Sequence, residues 1–490
     1  MLLPLICLYV YSWTFQFVSS SSLVAPPLSA LIVAFENIYD LSLLANTLSD
    51  EGIDTSLIIP NYAAQNIYNN LIDVEVLQLN VNTGSSTYAE KRALQACDSL
   101  LKDEKILKKL QEIQPTITIF PALRHDGCLL PFVRHIDSIP VIWIQNSDEE
   151  LYAFESTGVA LSVNNGSFFS RLATTFAARS VYSNAKNNYL SPALRLVCKY
   201  LTCDANVEFD RLYSDVRLVL WGADTVLRSN FASLTEMLVQ IGCHHCRGPQ
   251  PLPADLQKPL IEHRMGTVIA LLDESYETLI RELAKKLPQD RQGLAVVWKV
   301  NRDNAHIPAN LYIRKNIDRQ DLIGYSRTRV VLSHCDDTEL LENAFHRTPV
   351  ICFPRNEHES RNAARAVELG FARSSTDQAT AEEIASYVQT MHENVAYSES
   401  ARKISLAIRD RLTPASDRLV YWLRYVARTK DDSEKFHQPK SQSRTLTEDL
   451  QFFVGLLVGI FFGLMCAGCA VIAYLMRATK AQRSKGRYAR

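Results

Sequence analysis

One grammar constrains this 490-residue chain more than anything else. Short apolar strand runs alternate with amphipathic helical stripes, and the pattern runs through twice. In the first pass, residues 30–35, 55–59, 116–120, 141–144 and 216–220 read as strands. Asp40 is placed to cap the first helix, with Leu41, Leu44, Ala45 and Leu48 on one face and Gly52 at its end. The pattern breaks at Arg247, where Pro249, Pro251 and Pro253 make an extended linker. It restarts with strands at 267–272, 294–300, 330–333 and 350–353. Asp273 caps a helix carrying Tyr276, Leu279, Ile280, Leu283 and Leu287, and a helix at 362–369 is closed by Gly370. Alternating strands and helices imply parallel sheets covered on both faces. Two such halves facing each other make the cleft between them, beyond the carboxyl ends of the strands, the expected ligand site.

Both ends of the chain are apolar. The uncharged run from Met1 to Phe17, followed by Ser19–Ser22, reads as a secretory signal peptide. Residues 452–476 carry no charge and span about 37 Å as a helix at ~1.5 Å per residue, enough to cross a bilayer. Six basic residues and no acid follow in the last fourteen, which places the C-terminus in the cytosol and the bulk of the chain in the secretory lumen. The net charge of −1 gives no reason to expect nucleic acid. Gly455, Gly459 and Gly463 fall four apart within the span, a spacing that lets two helices approach closely and form a homo- or hetero-dimer. Asn165-Gly166-Ser167 is a glycosylation sequon.

Eight of the eleven cysteines lie in the expected lumenal part, where disulfides are permitted, but their spacing defines no framework. Cys243-His244-His245-Cys246 has its ligands too close together to close a tetrahedral metal site alone. It also lacks the strand and helix that flank a redox pair. A linker-edge loop, with or without a disulfide, is the expectation, and no metal is expected.

The run from Ser333 to Glu342 (Ser-His-Cys-Asp-Asp-Thr-Glu-Leu-Leu-Glu) follows an apolar strand and opens a helix. Such a corner ordinarily holds phosphate on exposed backbone N–H groups at the positive end of the helix dipole. Here carboxylates crowd the first turn. They suit the helix as caps and oppose a bound diphosphate.

Residues 414–428 (Pro-x-x-Asp-Arg-x-x-Tyr-Trp-x-x-Tyr-Val-x-Arg) form an amphipathic helix with Leu419, Trp422, Leu423 and Val426 toward a core. The positions Asp321-Leu322, Thr328-Arg329, His334-Cys335, Glu342, Pro349, Pro354 and Asn362-Ala363-Ala364-Arg365 fall in a fixed order and spacing. In these motifs, and over nearly its whole length, the chain resembles the membrane-bound UDP-glycosyltransferases of the glucuronosyltransferase type. The resemblance implies an α/β, GT-B-like fold of two facing Rossmann-like domains with parallel sheets, plus one C-terminal transmembrane helix. The expected organisation is a signal peptide at 1–23, an acceptor-side domain at 24–246 and a linker at 247–258. A nucleotide-sugar-side domain with its closing helices follows at 259–430, then a polar tether at 431–451, the span at 452–476 and a basic tail at 477–490. The implied residence is the endoplasmic reticulum or another secretory-pathway membrane.

The resemblance also implies a UDP-sugar donor (of the glucuronic acid or glucose type), a small lipophilic acceptor and no further cofactor. The functional positions carry over poorly. The family's general-base histidine falls on Asn37, and an amide cannot take a proton near neutral pH. The aspartate that orients it falls on Pro121; His125 and Asp126 lie close enough to substitute. The uracil-stacking tryptophan aligns with Asn316 and the nearby glutamine with Arg319. The phosphate-corner glycine is Asp336, and a serine three positions on is Glu339. A Gly-Ser pair becomes Glu274-Ser275, and the Asp-Gln pair that holds the sugar hydroxyls becomes His358-Glu359. His334, which implies a phosphate contact, and Glu342, which implies a ribose contact, are kept. A carboxylate ~4–5 Å from a phosphate charge costs ~3–4 kcal/mol at an effective dielectric of ~20. Asp336 and Glu339 together therefore disfavour an ordinary UDP-sugar complex unless Arg319 and Arg355 intervene. Two readings follow. One is an inverting transferase that uses His125 or Asp126 as base. The other is a catalytically inactive relative that binds a lipophile or pairs with active family members. A receptor-like role ranks below both, because the cytosolic stub is too short for a signalling domain.

Overall fold

The structure is a computed structural model. It describes residues 28–82, 89–157, 168–201, 203, 212–228, 237–288, 293–300, 308–376, 378–430 and 442–487. The expected signal peptide and Asn165 lie outside the described residues. The first sheet has seven parallel strands in the order β3-β2-β1-β4-β5-β6-β7. They are β1 (Ser29–Val33), β2 (Asp54–Pro60), β3 (Val74–Leu79), β4 (Ile117–Pro121), β5 (Ile139–Ile144), β6 (Leu218–Trp221) and β7 (Leu238–Gln240). The second sheet has six, all parallel, in the order β10-β9-β8-β11-β12-β13. They are β8 (Gly266–Ala270), β9 (Leu294–Lys299), β10 (Leu311–Arg314), β11 (Thr328–Ser333), β12 (Val350–Cys352) and β13 (Ala372–Ser374).

The period of two along a strand explains why both faces are covered. Leu31 and Val33 enter one core cluster while Ala30 and Ile32 enter another on the opposite face. In the second sheet, Ile269 and Val331 go to one face, and Val268 and Val330 to the other. Strand order reverses beside β1 in the first sheet and beside β8 in the second. The loops after β1, β4, β8 and β11 therefore surround a crevice at each switch point.

Four local expectations are corrected. The helix Ile38–Asp50 starts after Asn37, which sits in the left-handed region at φ 52° and has no side-chain cap bond. Asp40 is thus in the first turn and not the cap, which frees its carboxylate for another partner. The linker is shorter than 247–258, because a helix, Ala254–Glu262, begins directly after Pro253. Proline is tolerated at a helix start, where its missing N–H removes nothing. The helix assigned to 362–369 begins at Glu357, capped by the Asn356 side chain onto the Glu359 N–H. The tether is helical from Gln442, and that helix runs unbroken to Arg487, through the expected span and into the basic tail. Within it, Val454–Arg477 is long and apolar enough to cross a membrane.

The closing helix Ala415–Arg428 was grouped with the second domain, but it packs on the first. Leu419, Val420, Leu423 and Val426 join the cluster of Ala30, Ile32 and Val239, with Trp422 packed at its edge. Four disulfides tie the two domains internally: Cys97–Cys128, Cys198–Cys203, Cys243–Cys246 and Cys335–Cys352. By chain entropy, the 31-residue separation of the first is worth roughly 3–4 kcal/mol. The Cys243–Cys246 bridge consumes the thiolates that a metal would need.

Candidate functional site

The helix Asp337–Phe345 springs from the end of β11 and points its N-terminus into the cleft. Its cap is Asp336, whose Oδ1 accepts the Glu339 N–H at 2.7 Å. The Ser333 hydroxyl donates to Glu339 Oε2 at 2.6 Å and accepts the Cys335 N–H at 2.8 Å. Cys335 holds a left-handed backbone at φ 60°, fixed by its bridge to Cys352. The N–H groups that would cradle a diphosphate are thus turned onto the protein's own side chains.

Two basic residues nearby, Arg319 and Arg355, are committed as well. Arg319 grips Glu342 in a two-point ion pair, Nε to Oε2 at 2.5 Å and Nη2 to Oε1 at 3.1 Å. His245 Nε2 donates to the same Oε1 at 3.1 Å. Burial would raise the Glu342 carboxyl, but the Arg319 charge and the His245 bond outweigh it and hold it at about 2. The other face of Arg319 stacks over the Tyr39 ring at 4.4 Å. Arg355 is tied to Glu359 through its backbone N–H at 2.7 Å and its guanidinium at 2.8 Å. Neither arginine is left to neutralise a pyrophosphate, and Glu342 is not open to a ribose. Burial and the adjacent Asp336 charge push Glu339 well above the carboxylate range.

Across the seam, the first domain presses on this corner. Thr338 Oγ1 donates to Asp40 Oδ1 at 2.5 Å and accepts from Gln145 Nε2 at 3.0 Å. Arg228 Nη2 donates to Asp337 Oδ1 at 2.8 Å, while His358 Nε2 donates to Asp337 Oδ2 at 2.6 Å. Burial raises Asp337, but Arg228 and His358 more than offset it and keep it below its ordinary value. His358 and Glu359, expected beside a sugar, therefore serve Asp337 and Arg355. Burial, with the Asp336 charge added, raises Asp40 to about 7.

In the first domain, Pro121 ends β4 and Asn37 follows β1. The Asn37 amide donates to Glu149 Oε1 at 3.3 Å, and Glu149 Oε2 accepts the Gln145 N–H at 2.7 Å. Burial lifts Glu149 to about 8. His125 is 2% exposed, with Nε2 3.6 Å from Glu36 Oε2. Glu36 also accepts from Arg124 at 2.7 Å. Asp126 is fully buried, and its Oδ2 accepts the Tyr152 and Tyr213 hydroxyls at 2.7 and 3.0 Å. Enclosed in the first domain's core, Asp126 cannot reach an acceptor. His125 is buried too, but its Nε2 makes no hydrogen bond among the described residues.

The remaining donor positions are more open. Ser275 folds back on Asp273, its N–H and hydroxyl both donating to Asp273 Oδ1, and Glu274 is exposed. His334 Nδ1 donates to the Phe353 carbonyl at 2.9 Å, leaving Nε2 3.5 Å from Asp273 Oδ2. Exposed Asn316 and Lys299 share a cavity of about 370 Å³ with Tyr39, Tyr68 and Arg319. The tyrosines bring rings where the tryptophan is absent, but Arg319 already covers the Tyr39 face. No sequence signal points to Arg228, Gln145, Tyr39 or Glu149, since each is distant along the chain from the corner it serves. A carboxylate-rich helix start does imply unseen basic partners, and Asp337 marks where to look for them.

Comparison with known proteins agrees with this architecture. The family model described as UDP-glucoronosyl and UDP-glucosyl transferase matches residues 39–436. UDP-glucosyltransferase 2 of Dactylopius coccus is 28% identical over 258 residues, covering 50% of this chain and 48% of the relative. UDP-glucuronosyltransferase 2A3 of Mus musculus is 23% identical over 223 residues, covering 44% and 39%. The chain thus matches about half the length of these curated relatives or less. Among solved structures, the glycosyltransferase of kitacinnamycin superposes with a TM-score of 0.57 at 13% identity, covering 81% of this chain and 99% of that one. A UDP-glucosyltransferase from Polygonum tinctorium gives the same score and identity, covering 82% and 99%. These are GT-B folds. The match over residues 39–436 takes in every strand after β1, the carboxylate-filled corner and the closing helix together, and the chain belongs to the UDP-glucuronosyl and UDP-glucosyl transferase family.

Proposed function

We propose that this chain is a membrane-anchored, non-catalytic member of its family, which keeps the two-domain cleft for binding and has given up ordinary use of a UDP-sugar. The observation that carries this is the state of the helix Asp337–Phe345. Its N-terminus is capped by Asp336 and docked through Thr338 onto Asp40 of the other domain. A diphosphate there would have to break the seam and displace the Asp336 cap from the Glu339 N–H. The C-terminal helix holds the protein to a secretory-pathway membrane with its folded domains in the lumen. The partner is a small lipophile in the cleft or a second family member paired through Gly455, Gly459 and Gly463, which stand clear on the span. The test is titration of the purified full-length chain with UDP and with UDP-glucuronic acid and UDP-glucose. No thermal shift and no heat at millimolar ligand is expected; saturable binding below that range sinks the reading.

A second reading has one specific observation in its favour. Glu36 and Arg124 bracket buried His125 at the switch point of the first sheet, which gives the site a histidine with a carboxylate partner despite Asn37 and Pro121. On this reading the chain transfers a sugar of the glucuronic acid or glucose type from UDP to a small lipophilic acceptor with inversion. His125 takes the acceptor proton. Sugar transfer by the purified chain, lost in both His125→Ala and Glu342→Gln, is its required result.

A further inference from the structure

The helix Asp337–Phe345 has the donor corner at one end and a second, unassigned cavity at the other. Phe345 lines that cavity, which has a volume of about 270 Å³ and sits at the hinge between the domains. Over nine residues at ~1.5 Å rise, the two sites lie about 13 Å apart. Arg409, Arg411 and Arg418 all line the cavity, and Asp224 is the one acid in its wall. Asp224 is satisfied by Arg411, whose Nη2 reaches both carboxylate oxygens at 2.8 Å, and by Gln240 Nε2 at 2.8 Å. Arg418 donates only to backbone carbonyls, those of Gln240 and Thr413. Arg409 is exposed and lies over the Phe345 ring at 4.9 Å, with no ion-pair partner among the described residues. Two guanidinium charges are therefore unbalanced.

Three further features favour an anion. The helix Ala415–Arg428 opens at this cavity after Pro414, with no side chain capping its first turn. Asp417, in that turn, is exposed and lies outside the cavity wall. His244 lines the cavity with Nδ1 buried and unpaired. Burial and the neighbouring Arg411 charge lower Arg418 by more than Asp224 raises it, so a further anion beside it relieves a like-charge contact.

We infer that this hinge cavity binds a small phosphate-bearing ligand on Arg409, Arg418 and the open start of the helix Ala415–Arg428. Guanidinium forks match phosphate oxygens in geometry. The unbalanced charge also matches the roughly −1.5 to −2 of a phosphate monoester at neutral pH. The site is distinct from the donor corner and does not depend on the catalytic state of the cleft. Because both domains and the closing helix line it, an occupant braces the hinge.

The test uses the full chain in phosphatidylcholine nanodiscs, with sodium phosphate titrated against sodium chloride at equal ionic strength and the thermal midpoint read. A saturable rise is expected. Arg409→Gln, an exposed change that leaves the Asp224 network intact, should weaken it at least tenfold. Ser416→Glu, which puts a carboxylate at the helix start, should abolish it. A parallel preparation in nanodiscs containing phosphatidic acid separates the sources. If the headgroup is the ligand, the midpoint is already raised there and free phosphate adds little. If a soluble phosphate is the ligand, the titration is unchanged. Either result supports the site, provided both variants remove the effect. No shift in any preparation, or an equal shift in wild type and Arg409→Gln, overturns it.

Discussion

Two helix N-termini of this molecule lie at the junction of its domains, and they are finished in opposite ways. The helix Asp337–Phe345 starts with an aspartate cap, has Asp40 and Glu339 against its first turn, and holds its basic neighbours in ion pairs with those and adjacent carboxylates. The helix Ala415–Arg428 starts uncapped beside three arginines, two carboxylates (Asp224 and Asp417) and a cavity. The same backbone dipole serves both. The side chains decide whether that dipole is spent inside the protein or left available. On the proposed reading, the first corner does not take phosphate because Asp336 and Glu339 occupy the helix start. An unforeseen site arises at the second because the arginines around it outnumber the acids.

The largest break in this comparison should come from removing Arg319. Its guanidinium is the counter-charge for a buried Glu342 and lies 3.9 Å from Glu339. Arg319→Met leaves those carboxylates uncompensated, and destabilisation by about 3–5 kcal/mol is expected in denaturant unfolding. Adding Glu342→Gln should recover most of the loss. An Arg319→Met chain of wild-type stability would show that the corner is not self-neutralised, and the contrast between the two helices would collapse.

The next effect converts the closed corner toward the open one. Asp336→Gly with Glu339→Ser removes the cap and two buried acids. The helix should lose about 1 kcal/mol of capping, and affinity for UDP should rise at least a hundredfold, equivalent to about 2.7 kcal/mol. Calorimetry on the pair of proteins reads it directly. Equal, undetectable binding in both would mean that Asp40 and the domain seam, not the acids on the helix, exclude the nucleotide.

A third prediction concerns pH. Asp40 is raised from 3.8 to about 7 in the folded chain, and Glu149 from 4.5 to about 8. Folding holds these protons more tightly than the unfolded chain does. Their contribution is complete below about pH 4 and is lost as pH rises through 7 to 8. Glu342 and Glu36 act in the opposite sense, lowered to about 2, so their contribution is lost only as pH falls below about 4.5. Between pH 5 and 8 the raised acids lower stability as pH rises, while His346, which burial lowers to about 4, adds stability up to its ordinary range, so the Asp40 share is read by substitution. Asp40→Asn keeps an acceptor for Thr338 and removes the titration. It should raise stability by about 1–2 kcal/mol more at pH 8 than at pH 5. A thermal midpoint series across that range would show the lines diverging with pH; parallel lines would refute it.

These contrasts show what a sequence can carry. The strands were legible because a doubly covered parallel strand needs an uninterrupted apolar run, as in residues 330–333. The acidic helix start was legible because a cap must sit within three residues of the N–H it serves. Asp40 is not the cap because Asn37 adopts a left-handed turn that starts the helix three residues earlier. The stripe on Ala415–Arg428 was read correctly as core-facing, but a stripe of Leu, Val and Trp does not name which core it meets. The ion pairs were hidden for the same reason. Arg228 and Asp337 lie 109 residues apart and meet only because two sheets face each other.

The smallest expected effect tests the uncapped helix by itself. Ser416→Glu places a negative charge in the first turn of Ala415–Arg428, where the dipole and the arginines both favour it. Measured without phosphate at low ionic strength, the variant should be more stable than wild type by about 0.3–1 kcal/mol. The gain should shrink as salt approaches 1 M, where the screening length falls to about 3 Å. The matching change at the other helix, Thr338→Glu, adds one more acid beside Asp40 and should destabilise under the same conditions. Opposite signs for one substitution at two helix starts isolate the surroundings from the dipole, which is common to both. If both variants shift in the same direction, the dipole alone governs the two sites, and the charge around each counts for nothing.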